Sequence, residues 1–251
     1  MTVAWPPSPL SPALGALVWK EARQLSRSRS AIVTGILPPA VMLVLAPLPQ
    51  LLALHANVLP AIPPLLPGLR GLHGIRDVFL YLTFPLSLVL AGLLTPALAT
   101  SYTVIVERER RSIDLLMCLP VTVLDILTAK IVANLLASAA VVPLFALDAV
   151  AIVLLTGAGP AYVLASFALL VSALVAAVGV SLLLALVVRD ARTSDNVRAI
   201  YALPTTVATA LTAALVPGLW RFAVLAALML VLGTISVYVG VRRLTFERYV
   251  A

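Results

Sequence analysis

The sequence predicts an all-α integral membrane protein built from six transmembrane helices. Hydrophobic residues make up 62% of the 251-residue chain and charged residues only 11%, whereas a soluble domain of this size needs a much larger polar surface. The mean hydropathy is +1.12. The apolar residues form continuous runs rich in Leu and Ala, long enough for the ~20 residues that a helix needs to cross the hydrocarbon core. Because these runs do not alternate with polar residues, they exclude the strands of a transmembrane β-barrel.

The apolar runs place six spans within one transmembrane domain, 1–251. They lie at 31–54, 78–105, 131–155, 161–188, 199–216 and 222–241. We expect residues 1–30 to form a cytoplasmic N-terminus, 31–241 the six-helix bundle and 242–251 a cytoplasmic tail. The single cysteine, Cys118, excludes an internal disulfide and a cysteine-based metal cluster.

The basic residues predict the orientation of the bundle. If successive loops alternate between the two sides of the membrane, 14 of the 17 Lys and Arg residues fall on one side, and only Arg70, Arg76 and Arg221 fall on the other. Cytoplasmic loops are the ones enriched in Lys and Arg, so both termini are predicted to be cytoplasmic. The same distribution accounts for the pI of about 10.2, and we expect no nucleic acid partner.

An amphipathic helix is predicted before the first span. Prolines at 6, 7, 9 and 12 oppose an earlier helix start. In the segment that follows, one helical face is apolar and another is basic: Leu14, Val18, Ala22 and Leu25 against Lys20, Arg23 and Arg27. This pattern is typical of a helix lying in the membrane interface with its basic face toward anionic lipid headgroups, and Trp19 suits that depth. The alternative is a solvated basic tail.

The connection between the first two spans holds both histidines, His55 and His73. Prolines at 60, 63, 64 and 67 oppose a regular helix there. A metal-binding or proton-sensing role is one alternative, but two histidines without carboxylate or cysteine partners are a weak signal. We therefore interpret them as ordinary loop residues and predict no metal site.

Prolines and glycines mark kinks and turns along the remaining spans. Pro85 and Pro96 lie within the second span, where they free backbone carbonyls and kink the helix. Such a kinked span could line a moving pathway, although prolines are also common in membrane helices. The short sequence TGAGP predicts that spans three and four are antiparallel neighbours, and Pro217-Gly218 turns the fifth span into the sixth.

Asp148 is the only charged residue inside a predicted span. At ~1.5 Å per residue it lies ~27 Å from Lys130 at the cytoplasmic edge, near the outer interface. An intramembrane carboxylate suggests a functional charge, for example in a proton relay. Snorkelling or a packing hydrogen bond is the favoured alternative at this depth.

The fifth span carries Tyr201, Thr205, Thr209 and Thr212 on one helical face. A mildly polar wall of a substrate pathway would show this pattern. Interhelical packing would show it too, because hydroxyl and small side chains let membrane helices approach closely. The many alanines nearby favour packing.

The stretch VERERRSIDLLMCLPVTVLDILTAK, residues 106–130, holds eight charged residues. Charges end the second span, and a short helix follows until Pro120, because a residue before proline disfavours the α region. Thr122 and Asp125 have the spacing of a capping box that opens the third span. A rigid cytoplasmic helix between two spans suits docking of another protein, and an ordinary solvated loop is the open alternative.

This stretch resembles the segment after the second span in permeases of type 2 ABC exporters. The matching residues are Glu107, Glu109, Arg110, Ser112, Ile113, Asp114, Leu116, Pro120, Val121, Thr122, Asp125, Ile126, Leu127 and Lys130. WKEARQLSRSRS is similar to the N-terminal interfacial helix of that family, and VVRDARTSDNVRAIYALP to its link from span four to span five. Two departures are Arg111, where the family often has glycine, and the brief turn at Pro217 where large members fold re-entrant helices.

The resemblance implies a function. The segment 107–119 would be a coupling helix that docks on a separate ATP-binding subunit, present in two copies. The docking residues would be Glu107, Glu109, Arg110, Ser112, Ile113, Asp114, Leu116 and Pro120. ATP and Mg would be bound by that partner, so this chain is expected to hold no cofactor and to be no enzyme, which fits its lack of a phosphate-binding GxxxxGK[ST] loop.

A second permease subunit, either an identical copy or a paralogue, would complete the substrate pathway. We therefore expect an exporter subunit that is a multi-pass protein of the cytoplasmic (inner) membrane of a prokaryote. Two alternatives remain. A polytopic enzyme acting on lipid would need converging His, Asp or Ser residues at one membrane depth, and a stand-alone secondary transporter would carry several intramembrane charges or paired broken helices.

Overall fold

Helices are the only regular secondary structure in the part of the chain that the computed structural model describes, which is residues 12–27, 41, 43, 75–100, 123–139, 141–187 and 204–243. The first is α1, Pro12–Arg27. Helix α2 consists of three consecutive helical stretches, Ile75–Val78, the π-helical turn Phe79–Thr83 and Phe84–Thr100. The others are α3 (Val123–Ser138), α4 (Val141–Thr156), α5 (Pro160–Val187), α6 (Pro204–Leu215) and α7 (Trp220–Arg243).

Four helical stretches within the described ranges are long and apolar enough to cross a membrane. They are Arg76–Leu93, Thr128–Thr156, Pro160–Ser181 and Trp220–Val239, and they coincide with the predicted spans two, three, four and six. Helix α6 is the described part of the predicted fifth span and is too short to cross by itself. Of the predicted first span only Val41 and Leu43 are described, and Leu43 is buried in the core. The count of six spans therefore stays a prediction.

Helix α5 lies at the centre of the described helices, packed against α2 on one side and α7 on another. Its buried face is lined with small residues, among them Ala173, Ala176 and Ala177. A Cβ added to Gly179 would lie 2.7 Å from the Gly233 carbonyl oxygen, and one added to Gly233 would lie 2.9 Å from the Ala176 Cα. Only glycine fits at these two positions, because the α5 and α7 backbones are in direct contact there.

The predicted third span is interrupted in the middle, which the sequence analysis did not anticipate. Helix α3 ends at Ser138 and α4 begins at Val141. Pro143 has no N–H to donate to the Ala139 carbonyl four residues earlier. That carbonyl instead accepts a hydrogen bond from the Val142 N–H at 3.0 Å, in a tighter turn.

The two predicted turns are confirmed. Helix α4 ends at Thr156 and α5 begins at Pro160, while α6 ends at Leu215 and α7 begins at Trp220. The position predicted for Arg221 in the loop before the sixth span is wrong. The residue lies in the first turn of α7 and is 1% exposed.

These turns define one end of the bundle. Residues 157–159, residues 216–219 and the start of α2 meet there; the Arg76 Nη2 atom lies 4.0 Å from the position of a Cβ on Gly157. We call this the turn end. Helix α1 packs against α3, whose Lys130 is ~39 Å from Thr156 at ~1.5 Å per residue. We call that opposite end the α1 end.

Candidate functional site

The whole predicted docking site lies outside the described residues. This holds for every docking residue from Glu107 to Pro120, and also for Tyr201, His55 and His73. The described residues among the predicted sites are Asp148 and, on α6, Thr205, Thr209 and Thr212. Within the described ranges, no three His, Cys, Asp or Glu side chains come together as a metal site would require.

Two of the predicted threonines, Thr209 and Thr212, use their hydroxyl protons within their own helix. Thr205 and Thr209 are buried and Thr212 is half-buried. Thr209 Oγ1 donates to the Thr205 carbonyl at 2.7 Å, and Thr212 Oγ1 donates to the Ala208 carbonyl at 2.8 Å. Each of these two threonine side chains therefore offers its neighbours a hydroxyl oxygen as acceptor and a methyl group. Their role in lining a pathway stays a prediction.

Asp148 lies in α4, half-buried, between exposed Leu147 and Val150. Its Oδ2 atom is buried and has no hydrogen-bond partner among the residues described. It is eight residues before Thr156, or ~12 Å from the turn end. A functional role for this charge stays a prediction.

A buried site at the turn end was not predicted, and it begins with the π-helical turn of α2. The Phe84 N–H donates to the Phe79 carbonyl five residues earlier rather than to the Leu80 carbonyl. The Tyr81 carbonyl would normally bond the N–H four residues later, but that residue is Pro85, which has none. The π-helical turn and the proline together remove the donors that the carbonyls of Leu80 and Tyr81 would normally have four residues later in α2.

Side chains from two other helices supply the missing donors. Tyr162 Oη, on α5, donates to the Leu80 carbonyl at 2.7 Å. Arg221 Nη1, on α7, donates to the Tyr81 carbonyl, and its Nε donates to the Gly218 carbonyl at 3.1 Å. These bonds tie α2, α5 and α7 together at one point.

Aromatic rings enclose these hydrogen bonds. The Tyr162 ring lies with its centroid 5.2 Å from that of Phe222 and 6.2 Å from those of Phe84 and Tyr81. The Arg221 guanidinium carbon lies 5.0 Å from the Tyr81 ring centroid, in cation–π geometry. We call Phe79, Tyr81, Phe84, Tyr162, Arg221 and Phe222 the aromatic–arginine cluster. Tyr162 and Arg221 are 5% and 1% exposed, so the bonds lie in a low-dielectric environment that strengthens them.

At the α1 end, the structure brings two charged side chains together inside the protein. Lys130 Nζ, on α3, lies 3.3 Å from Glu21 Oε2, on α1, and neither side chain is more than 3% exposed. Lys20 Nζ lies 3.6 Å from the other carboxylate oxygen, but its side chain is 47% exposed. Helix α1 is thus held against α3 by a buried ion pair.

The contact face of α1 differs from the predicted apolar face. Among residues 15–23 of α1, whose burial the structure describes, Leu17 and Glu21 are buried, whereas Val18 and Ala22 of the predicted apolar face are half-buried beside them. Trp19 is 70% exposed. The helix is amphipathic as predicted, but the stripe that meets α3 is centred on Glu21, because Lys130 compensates its charge.

The face of α3 that is buried beyond this ion pair is polar. Lys130, Asn134 and Ser138 recur every four residues and are all buried. Ser138 Oγ donates to the Asn134 carbonyl at 2.7 Å, while Asn134 Oδ1 has no partner among the described residues. Helix α3 therefore carries a buried polar stripe from the α1 end to its break.

Comparison with known proteins gives one match. The family model for ABC-2 family transporter proteins matches residues 15–219, from within α1 to the turn that precedes α7. No characterised protein of curated sequence and no solved structure matches the chain significantly. The members of this family are membrane components of transporters and are not themselves catalytic. Because the match extends over well more than half of a chain whose described part consists of apolar helices, the chain belongs to the ABC-2 transporter family and is a multi-pass transmembrane permease subunit of that family.

Proposed function

We propose that the chain is the membrane subunit of an ATP-driven exporter, with six spans and both termini in the cytoplasm. The observation that carries this proposal is the family match over residues 15–219, since membership in the ABC-2 family implies partnership with an ATP-binding subunit. The positive-inside distribution supports the orientation, with the α1 end in the cytoplasm. The membrane would be the cytoplasmic (inner) membrane of a prokaryote.

The docking segment 107–119 would connect this subunit to its ATPase. It belongs to the stretch of sequence between Thr100, where α2 ends, and Val123, where α3 begins. Helix α2 starts at the turn end and runs ~37 Å, so that stretch joins two helix ends on the α1 side. Two ATP-binding subunits, each holding ATP and Mg, would dock there, and a second permease subunit, identical or paralogous, would complete the pathway.

The Glu21–Lys130 ion pair supports the assignment of this end as the coupling end. Glu21 belongs to the segment that resembles the family's interfacial helix, and Lys130 is the last residue of the motif that begins at Glu107. Their contact at 3.3 Å joins the two segments that carry the resemblance. A force on the docking segment would therefore reach α1 and α3 together.

The pathway would be lined by the hydroxyl-bearing face of the predicted fifth span, with Tyr201, Thr205, Thr209 and Thr212. Membrane lipid would surround the exposed apolar residues of α4 and α7 and the basic face of α1. The two alternatives, a membrane enzyme acting on lipid and a stand-alone secondary transporter, have less support, because neither is implied by the family match.

Purification of the tagged chain from its native membrane tests the proposal. We expect an ATP-binding subunit to copurify in stoichiometric amount, and transport by reconstituted vesicles to require both that subunit and ATP. Transport by vesicles that contain this chain alone, without ATP, would support the secondary-transporter alternative instead.

A further inference from the structure

The aromatic–arginine cluster holds three helices by bonds to two carbonyls whose usual donors, four residues later in α2, are missing. Tyr162 reaches the Leu80 carbonyl across 82 residues of sequence, and Arg221 reaches the Tyr81 carbonyl across 140. A π-helical turn inside an α-helix often marks a functional position. Here the turn has a specific consequence, because α2 does not supply the two carbonyls with their usual N–H donors four residues later.

A carbonyl without a donor is strongly unfavourable at membrane depth, where no bulk water is available. Tyr162 and Arg221 can therefore leave the two carbonyls only if other donors replace them. Water is the general replacement, and burial of Arg221 at 1% exposure shows that bulk water does not reach the guanidinium in this conformation. Separation of α2 from α5 and α7 at this end must thus accompany hydration of the cluster.

The surrounding rings make the closed arrangement cooperative. The Tyr162 ring contacts Tyr81 and Phe84 on α2 and Phe222 on α7. The same helices are joined by the hydrogen bonds of the Tyr162 hydroxyl to α2 and of Arg221, on α7, to α2. Moving α7 away would remove Phe222 and Arg221 at the same time. The Tyr162 ring and its hydrogen bond would then face the gap that opened.

We propose that the aromatic–arginine cluster is a lock that closes the turn end of the substrate pathway. In the closed conformation Tyr162 and Arg221 occupy the two freed carbonyls and exclude water. When the pathway opens at this end, water takes their place and α2 separates from α5 and α7. The lock itself rests on the observed bonds, and its opening rests on the proposed transport function.

A cysteine reporter inside the cluster tests both parts. Cys118→Ser removes the native thiol, and Leu80→Cys places a thiol at a side chain that is 4% exposed while keeping the backbone carbonyl. The rate of maleimide labelling of the protein in lipid nanodiscs then measures how often the cluster admits water. We expect slow labelling of this background without nucleotide.

Two variants remove single parts of the lock. Tyr162→Phe deletes only the hydroxyl, and Arg221→Gln deletes the charge and the guanidinium. Each should raise the labelling rate between about threefold and about twentyfold, the range set by measured interhelical hydrogen bonds in membrane proteins. Matched controls are Tyr238→Phe, an exposed tyrosine on α7, and Arg76→Gln, an exposed arginine at the same end; both should label at the background rate.

Chemical rescue separates a lock from a general loss of structure. In Arg221→Ala, guanidinium ions at millimolar concentration should fill the space and return the labelling rate toward that of the background, whereas sodium chloride at equal ionic strength should not. If Tyr162→Phe and Arg221→Gln label no faster than their controls, the lock does not exist. Tyr162→Phe keeps the ring and provides this test even if Arg221→Gln fails to fold.

The opening step is tested with the copurified ATPase. ATP trapped with vanadate should accelerate labelling of the background at Leu80→Cys at least threefold. If the lock variants label faster but trapped ATP changes nothing, the cluster is a static brace and the opening step is wrong. If no ATPase partner exists at all, the proposed function fails, while the variants still decide whether the cluster closes this end.

Discussion

The Lys130 ammonium and the Glu21 carboxylate lie 3.3 Å apart, and both side chains are almost fully buried where α1 meets α3. Desolvating two charges is costly, so such a pair contributes little net stability compared with a well-packed apolar pair. Breaking it is a different matter, because one charge is then left buried without compensation. The pair thus fixes how α1 sits on α3 more than it strengthens the fold.

Removal of one partner should therefore be much worse than removal of both. We expect Lys130→Met to lower the free energy of unfolding by about 3–5 kcal/mol, and Glu21→Gln combined with Lys130→Met to restore most of that loss. Denaturant unfolding of the detergent-solubilised protein measures both. The control is Lys20→Ala, which removes the half-exposed neighbour of Glu21 and should cost less than about 1 kcal/mol.

An additive loss in the double variant would contradict coupling between these two side chains.

The close contact of α5 and α7 predicts strong sensitivity to a single methyl group. Gly233→Ala would place its Cβ 2.9 Å from the Ala176 Cα, which is backbone and cannot move aside. We expect a loss of about 1–3 kcal/mol, the usual cost of overpacking a core, seen as a lower melting temperature. Gly159→Ala is the matched control, since a Cβ there has no atom within 4 Å; equal effects of the two changes would refute the packing of α5 on α7.

Sequence alone predicted the helices that local composition determines. The span 161–188 differs by one residue at each end from Pro160–Val187, because an uninterrupted apolar run preceded by Gly-Pro leaves little choice of boundary. The missing backbone donor at Pro85 was also predicted, since a missing N–H is a property of the residue itself. Both conclusions require no knowledge of any distant neighbour.

What the sequence did not predict depends on such neighbours. Arg221 follows the turn residues Pro217 and Gly218, and a charged residue at such a position is usually exposed. Its burial is explained by its hydrogen bond to the Tyr81 carbonyl, 140 residues away in the sequence. Glu21 interrupts an apolar face until Lys130 is placed against it. For the site at the turn end, the sequence thus indicated only a missing donor at Pro85, whereas the π-helical turn and the donors Tyr162 and Arg221 follow from the fold.

The docking segment should be needed for coupling and not for membrane insertion. We expect Glu107→Ala with Glu109→Ala to reduce substrate-stimulated ATPase activity of the complex at least tenfold, because the permease would lose its hold on the ATPase. The amount of inserted protein should stay unchanged. Ile113→Asp should have the same effect by placing a charge on an apolar contact, while Val207→Ala, at an exposed position of α6, serves as the control. Full coupling in both docking variants would remove the support for this segment as the contact.

Asp148 should lower the stability of the protein, whether or not its charge has a function. Its Oδ2 atom is buried and unpartnered among the described residues, so Asp148→Asn, which keeps the shape and removes the charge, should raise the free energy of unfolding by about 1–3 kcal/mol. A thermal melt measures this gain. Transport by the same variant separates the two interpretations: an unchanged rate identifies a structural carboxylate near the interface, whereas loss of transport together with higher stability would identify a functional charge.

The orientation of the bundle can be measured with the single native cysteine. Cys118 lies in the predicted docking segment, so a membrane-impermeant maleimide should label it only from the cytoplasmic side. In the Cys118→Ser background, Gly159→Cys introduces a thiol at an exposed position of the turn end, and it should be labelled only from outside. Each variant is the control for the other, because they differ only in the end of the bundle that carries the thiol. Labelling of both from one side would contradict the topology, because the α1 end and the turn end must face opposite compartments if the apolar helices between them cross the membrane.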